Sequence, residues 1–422
     1  MKTSITFFGR GIGMLAWMLF LILSALPPIH AQSKLSLREA INKAVESRAL
    51  LKAEAERVSI AQGLEKQAEL IANPVFQFEN QNLRPGQTYG RDVDTYAFLT
   101  QPLDVLGKRK QRIAVAADEV SRSEAGYELM KRQVTQSIAI SYWEARGAQE
   151  KRDLLKATVE NFQKIIDYQS AQFSVGAISE QDLLRVQLEG ERLKIAANLA
   201  EIDANRDRVQ LLKEMGQTDF SQVLLTEPLD ANIGAIEPID ITQVLTERVE
   251  MKLANAAVQE AQAKSRLQDV SARPDLTVLY GYKRTQLVDA TSGVNTATAG
   301  LQITIPITDR NQGNRAAASA EFRRQQYLLA ATEAEVRADY FGALQEYQLR
   351  HSEVVETLQP LREHARNISE IAQAAYARGG TDLLRLLDAE RAQLDAELAY
   401  VQGMTEYQQS ISNLQAAEGV RP

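Results

Sequence analysis

The chain contains two similar passages, FSVGAISEQDLLRVQ at 173–187 and YARGGTDLLRLLDAE at 376–390. Each passage lies at the far end of a long run with helical periodicity. Other landmarks recur in the same order: Asn73-Pro74 with Arg273-Pro274, and Pro102 with Pro306. Self-similarity on this scale indicates that one structural unit is used twice. The sequence therefore predicts two repeats, 32–216 and 241–418, joined by a linker at 217–240 and followed by a tail at 419–422.

Each predicted repeat begins with a helix that ends before a proline. Good helix formers run from Leu37 to Ile71, and Ser36 with Glu39 has the pattern of a capping box. The helix is expected to stop before Pro74, because the residue before a proline is driven out of the helical region. The second repeat has the same plan, with a predicted helix from Ile241 to about Ala272.

Alternating patterns then predict two β-hairpins, at about 74–103 and 274–307. Phe76 and Phe78 alternate with polar residues in the first, and Tyr96 with Phe98 occupies one face of its second strand. In the second hairpin, one face is expected to carry Leu301, Ile303 and Ile305, and the other Gln302 and Thr304. This period of two is typical of half-buried strands, so each hairpin is predicted to have an apolar face and a polar face.

A second helical run follows each hairpin and is unusually long. The first run extends from Gly107 to about Phe173, which corresponds to roughly 100 Å of helix. Apolar and small residues recur at spacings of three and four, as in laterally packed helices or coiled coils. Gly176 is placed to end this helix and Ser179 to start the next. The second run is expected to reach Ala375, turn at Gly379-Gly380 and return to about Ala417.

Isolated two-stranded hairpins are marginal in water and leave open edges. One interpretation is that the strands join those of identical copies in a membrane-spanning barrel with its apolar face toward lipid. The other interpretation is a small sheet that caps a helical bundle. The periodicity alone does not choose between them.

The first 31 residues have the layout of a secretory signal. Lys2 and Arg10 precede an apolar run that leads to PPIHA, so cleavage is expected near Ala31, rather than retention as an anchor. Removal of these two basic residues takes the formal charge from −7 to −9. The sequence contains no cysteine, so a lipoprotein signal, disulfides and thiolate metal sites are excluded.

Composition argues against several classes of function. The modest acidity is spread along the helices, which disfavours nucleic acid as a partner. Only His351 and His364 remain after the signal, 13 residues apart, so no metal site and no cofactor is expected. No catalytic triad, paired-carboxylate pattern or metal pattern stands out from the charged helices, and an enzyme is not predicted.

The duplicated plan, the two turn passages and the junctions TQPLDVLGKR and ITIPITDRNQGNR together resemble the TolC-type outer membrane factor family. The resemblance covers essentially the whole mature chain and is nearest to the branch that serves heavy-metal and cation efflux. It implies a mainly α-helical homotrimer with a 12-stranded transmembrane β-barrel and a long α-helical periplasmic tunnel. It further implies an outer-membrane exit duct for passive export, working with a periplasmic adaptor and an inner-membrane RND pump in a Gram-negative bacterium.

The resemblance also implies a pore gate beside the second turn. Tyr376 matches a family tyrosine and Asp388 matches an acidic position, whereas Thr381 and Arg385 stand where the family member compared has arginine and aspartate. Three copies of Asp388 near an axis would form a negative ring, although an intrahelical pair with Arg385 is an open alternative. Asp382 is either a helix N-cap or a charge at the rim of the gate.

The turns match the family's adaptor-docking positions. These residues are Val175, Gly176, Ala177 and Ser179 in the first turn, and Arg378, Gly379, Gly380 and Thr381 in the second. Glycines leave main-chain groups uncovered for a partner, and they also suit a helix-terminating turn that has no partner.

Two alternative functions stay open. The outer duct of a type I protein secretion system would have the same fold. A soluble periplasmic coiled-coil scaffold would use the hairpins as ordinary sheet.

Overall fold

The computed structural model describes residues 33–83, 85–86, 93–230, 233–285 and 293–420. The predicted signal peptide at 1–31 lies outside these residues, as does the end of the predicted tail. The first half of the chain contains β1 Ser33–Leu35, α1 Leu37–Ser47, α2 Ala49–Glu69, β2 Val75–Gln81, β3 Asp94–Leu103, α3 Lys108–Ser174 and α4 Glu180–Glu214.

The second half repeats this order after a short strand. Its elements are β4 Val223–Leu225, α5 Ile241–Glu247, α6 Val249–Ser271, β5 Asp275–Thr285, β6 Val294–Thr304, α7 Gln312–Ser352, a π-helical segment Glu353–Leu358, α8 Gln359–Ala377 and α9 Leu383–Glu418. Helix α3 has 67 residues, a length of about 100 Å. Among the described residues, no helix is both long and apolar enough to cross a membrane.

The predicted single helix from Leu37 to Ile71 is wrong, because Arg48 divides it. Arg48 has extended backbone angles (φ −68°, ψ 118°), so α1 ends and α2 begins around it. Arg248 has nearly the same angles (φ −61°, ψ 126°) and divides the corresponding helix of the second half. The predicted capping box is confirmed: the Ser36 main-chain N–H donates to Glu39 Oε2 at 2.9 Å, and Glu39 N–H donates to Ser36 Oγ at 3.3 Å.

The long helix of the second half is not continuous α-helix to Ala375 as predicted. A π-helical turn at Glu353–Leu358 separates α7 from α8. Pro360 follows directly and has no N–H to donate, which favours a wider turn at this point. The side chain of Leu358 lies against Gly403 of α9, where a Cβ atom would meet Leu358 Cδ1.

The strands form two sheets. The four-stranded sheet has the antiparallel order β2-β3-β5-β6, so the two hairpins are joined through β3 and β5. Within the described residues, the outer edges of β2 and β6 have no partner strand. Strands β1 and β4 form a separate parallel pair with Ser33 opposite Val223. This pair was not predicted, and it places a strand inside the predicted linker at 217–240.

Buried aromatic residues form the core midway along the helices. Tyr142 and Trp143 of α3 are both buried. The Tyr142 hydroxyl donates to the Leu35 carbonyl oxygen at 2.9 Å. In the second half, the Tyr340 hydroxyl donates to the Ile239 carbonyl oxygen at 2.6 Å. These phenols attach the segments before α1 and α5 to the long helices α3 and α7.

Candidate functional site

The two turns at the far end of the long helices have the same construction. Gly176 has φ +75°, and its N–H donates to the Phe173 carbonyl oxygen at 2.9 Å, while Ala177 N–H donates to the Gln172 carbonyl oxygen at 2.9 Å. This pair of bonds is the Schellman termination of a helix. Ser179 then starts α4, because its Oγ accepts from the Asp182 N–H at 3.1 Å.

The second turn has matching bonds. Gly379 has φ +70°, and Gly380 N–H donates to the Ala375 carbonyl oxygen at 2.9 Å. Asp382 is the N-cap of α9: its Oδ1 accepts from the Arg385 N–H at 2.9 Å. Of the two roles considered for Asp382, the structure therefore has the cap. Thr381 is partly buried next to it, whereas Arg378, like Val175 and Ala177 of the first turn, is exposed.

Tyr376 connects the two halves of the chain just before the second turn. Gln169 of α3 donates from Nε2 to the Tyr376 hydroxyl at 2.7 Å. Gln169 is fully buried (0% exposed), and its Oε1 has no hydrogen-bond partner among the described residues. Sequence reasoning identified Tyr376 and missed Gln169, because one glutamine in a polar helix carries no signal of burial.

Asp388 and Arg385 are both exposed on α9. Among the described residues, neither forms a salt bridge, so the intrahelical pair considered from the sequence is not formed. The ion pair nearby is instead between Arg391 of α9 and Glu189 of α4, at 2.7 Å. The hydrogen bond to Glu189 and its negative charge raise the pKa of Arg391, with smaller contributions from the charges of Asp388 and Asp395. This salt bridge is a second contact, after the hydrogen bond of Gln169 to Tyr376, between the helix pair α3–α4 and the helix pair α8–α9.

A cavity of about 1140 Å³ separates the helix pair α3–α4 from the pair α8–α9. Its lining includes Gln169, Tyr376, Glu189 and Arg391, together with apolar residues such as Phe162 and Leu387. The polar contacts between the pairs lie beside this cavity, and a buried hydrophobic cluster that includes Phe162, Val186 and Leu387 also packs the two pairs together.

The register of the sheet decides which side chains share a face, because directly opposed residues of antiparallel strands point to the same side. One row contains Phe76, Leu99, Tyr280 and Ala299. Phe76 and Tyr280 are 67% and 63% exposed. Leu301 and Ile303 pair with Val278 and Leu276 on this face, which confirms the predicted apolar face of the second hairpin.

For β3 the predicted division into an apolar and a polar face is wrong. Phe98 lies opposite Gln77, and Tyr96 lies opposite Glu79, so both aromatic residues belong to the polar face. The register pairs even-numbered residues of β2 with odd-numbered residues of β3. A shift of one residue would have placed Tyr96 and Phe98 on the apolar face instead. Lys283 of β5 lies over the Tyr96 ring, with Nζ 5.3 Å from the ring centroid.

Nothing in the described part of the chain resembles a metal centre. No group of three or more His, Cys, Asp or Glu side chains there is placed to hold a metal ion. His351 instead lies with Nε2 3.3 Å from the Ile233 carbonyl oxygen, in the core beside Tyr347 and Tyr407.

Comparisons with known proteins agree with this geometry. The sequence profile of the outer membrane efflux protein family matches residues 40–217 and again 241–420. The cobalt-zinc-cadmium resistance protein CzcC of Cupriavidus metallidurans is 23% identical over 380 residues, which cover 89% of this chain and 87% of CzcC. Nodulation protein T of Rhizobium leguminosarum is 23% identical over 69% of this chain and 62% of its own length.

Solved structures share the fold at low identity. A crystal structure of CusC superposes with a TM-score of 0.75 at 17% identity, covering 91% of this chain and 92% of that one. The open state of the MtrE outer membrane channel of Neisseria gonorrhoeae gives 0.74 at 18% identity, covering 91% and 89%. Because the family profile matches both halves and most of the chain, the resemblance inferred from the turns and junctions is confirmed, and the chain belongs to the outer membrane efflux protein family.

Proposed function

We propose that this protein is the exit duct of a tripartite RND-type efflux system and that three copies assemble around one pore. The observation that carries the proposal is the four-stranded sheet, which has an exposed apolar face and two open edges and is continuous with a helix of about 100 Å. An open edge in a bilayer would leave main-chain groups unpaired, so the edges of β2 and β6 require partners from other copies.

Three copies would close a barrel of twelve strands, an even number as in other bacterial barrels. The face with Phe76, Tyr280 and Leu301 would contact lipid. The face with Gln77, Glu79 and Lys283 would line a water-filled lumen, and Tyr96 and Phe98 would project into it. Each of the two repeats, 32–216 and 241–418, would contribute one hairpin to the barrel and two helices to the tunnel, with 217–240 as the segment between them.

We assign the gate to the region where the two helix pairs meet. Tyr376 would hold the pairs together through Gln169. Asp388, exposed and unpaired among the described residues, would supply a negative ring, while Arg385 one turn away would reduce its charge. Asp382 would set the start of α9 rather than carry the selectivity. This assignment predicts that Asp388→Lys lowers cation selectivity in a reconstituted pore.

The two turns are the proposed docking surface for the periplasmic adaptor. Their left-handed glycines, Gly176 and Gly379, have open space where a side chain would stand, so a partner can approach the main chain. Transport that survives Gly379→Trp would contradict this role.

The cargo is proposed to be small solutes, among them metal cations, since a relative is named for resistance to cobalt, zinc and cadmium. No metal-binding cluster among the described residues supports selection of metals by the duct itself. The duct would be passive, with energy from the inner-membrane pump. We further propose that residues 1–31 are a signal peptide, which directs export of the chain and is cleaved near Ala31 without lipidation, and that the mature protein resides in the outer membrane.

The deciding experiment isolates the protein from outer membranes after washing with carbonate, cross-links it in mild detergent and records planar-bilayer conductance. We expect a trimer that resists extraction and forms mostly closed pores. A monomer that carbonate removes and that forms no pores would contradict the proposal and favour a periplasmic scaffold. If the trimer forms pores but its gene neighbours encode an ABC exporter, the duct would instead serve type I secretion.

A further inference from the structure

The junction between the sheet and the helices carries positive charge that the chain does not neutralise. Arg109, Lys110, Arg273 and Arg310 lie within a few residues of the strand ends, and we refer to them as the junction collar. None of the four forms a salt bridge with a carboxylate of the described residues.

The three arginines of the junction collar are held by main-chain carbonyl groups. Arg109 donates from Nε to the Glu69 carbonyl oxygen at 2.8 Å, Arg273 from Nη1 to that of Leu106 at 2.7 Å, and Arg310 from Nε to that of Ile307 at 3.2 Å. A carbonyl oxygen orients a guanidinium without cancelling its charge. Each guanidinium keeps further N–H donors for another ligand.

Two neighbouring basic residues, in contrast, form salt bridges with carboxylates of the chain. Lys108 lies 2.7 Å from Asp275, and Arg315 lies 2.7 Å from Asp269. The junction therefore contains two kinds of basic residue, one neutralised within the chain and one left charged. Only the second kind is suited to an anion from outside.

Exposed aliphatic side chains lie beside the junction collar. Ile305 and Ile307 are 70% and 72% exposed, and Ile71 and Val105 are also exposed. All four lie within four positions of a strand end, and the nearby Leu103 and Ile303 belong to the apolar face of the sheet. Apolar residues next to basic residues at the end of an apolar band are typical of a membrane interface.

We propose that the junction collar binds the phosphate groups of anionic phospholipids in the leaflet nearest the helical tunnel. This inference rests on the proposed membrane position of the sheet. Arginine offers paired N–H donors to phosphate oxygens, and the exposed side chain of Lys110 is long enough to place its ammonium group in the headgroup layer. The lipid would fix the height of the duct in the bilayer.

The test compares the variant Lys110→Gln/Arg310→Gln with the control Lys52→Gln/Lys164→Gln. Lys52 and Lys164 are exposed on helices away from the sheet, so both variants lose the same charge. Each protein is reconstituted into vesicles of phosphatidylcholine with or without phosphatidylglycerol, washed with carbonate, re-extracted in mild detergent and analysed for bound phosphatidylglycerol by native mass spectrometry.

We expect the junction collar variant to bind phosphatidylglycerol about tenfold more weakly than the native protein, and the control to match the native protein. All three proteins should stay in carbonate-washed vesicles of either composition. Equal binding by the junction collar variant, or an equal loss in the control, would overturn the lipid site while leaving the duct intact. Extraction of the native protein by carbonate would overturn the proposed function, and the lipid site with it.

Discussion

Arg248 donates from Nη1 to the Ala417 carbonyl oxygen at 2.9 Å. In the first half, Arg48 donates from Nη1 to the Glu214 carbonyl oxygen at the same distance of 2.9 Å. Arg48 lies between α1 and α2, and Arg248 lies between α5 and α6. Each arginine binds the C-terminus of the last helix of its half, where carbonyl groups lack intrahelical partners. A guanidinium there also complements the negative end of the helix dipole. The duplication is thus preserved in tertiary contacts.

Replacing Arg248 by alanine should destabilise the protein strongly. Arg248 is 2% exposed and also contacts Glu250 at 2.9 Å, so its loss removes the donor to the buried Ala417 carbonyl oxygen and one of the two arginines, with Arg132, that pair with Glu250. We expect the free energy of unfolding to fall by about 3 kcal/mol, measured by denaturant unfolding in detergent. Arg57→Ala is the control, because Arg57 forms only an exposed pair with Glu54. Similar losses in the two variants would contradict a special role for Arg248.

Gly281→Ala should damage the sheet, whereas Gly300→Ala on the adjacent strand should be tolerated. A Cβ atom at Gly281 would lie 2.2 Å from the Ala97 carbonyl oxygen and 2.7 Å from Phe98 Cδ1. At Gly300 the nearest atom is Leu279 Cδ2 at 3.9 Å. Resistance of the folded protein to heating in SDS measures the difference. Equal resistance of both variants would show that the close packing of Phe98 on Gly281 is not required.

Tyr376→Phe should open the proposed gate more often. The change removes the hydroxyl that accepts from Gln169 and leaves a buried amide without its partner, at a cost of about 1–3 kcal/mol to the closed arrangement. We expect the open probability in planar bilayers to rise about tenfold. The control is Tyr168→Phe, because the Tyr168 hydroxyl accepts only from Gln172 of the same helix at 3.1 Å. An unchanged open probability for Tyr376→Phe would remove Tyr376 from the gate.

Glu418→Gln should stabilise the protein at neutral pH and have no effect in acid. Glu418 is 6% exposed, its Oε1 has no hydrogen-bond partner among the described residues, and burial raises its pKa above the ordinary value of 4.5. The folded state therefore holds this proton more tightly than the unfolded chain, so the carboxyl costs stability as the pH rises from 4.5 through the folded-state pKa.

Unfolding measured near pH 8 should show a gain of about 1 kcal/mol for Glu418→Gln, and unfolding near pH 3.5 should show none. The exposed Glu160→Gln serves as the control. A gain that is the same at both pH values would mean that the amide improves packing rather than relieving a buried charge.

Local signals in the sequence were enough for the order of the hairpins and long helices and for both turns, but not for the strands β1 and β4 or for the helix breaks. The left-handed glycines Gly176 and Gly379 end their helices as predicted, because turn chemistry depends on a few neighbouring residues. Tyr376 was identified through the family resemblance, in which a tyrosine precedes the second turn. The sequence did not reveal Gln169, since its burial comes from a helix pair more than 200 residues away in the chain.

The repeated passages, the alternation of strand residues and the apolar spacing of three and four thus determined, from the sequence alone, that this is a duplicated chain of hairpins and very long helices. Tertiary structure alone decided that Phe98 shares a face with Gln77, since register depends on strand pairing rather than on the alternation within either strand. It also decided that Arg48 and Arg248 break their helices. Arginine favours helix locally, and the break is held by contacts to distant residues, among them the carbonyl groups of Glu214 and Ala417.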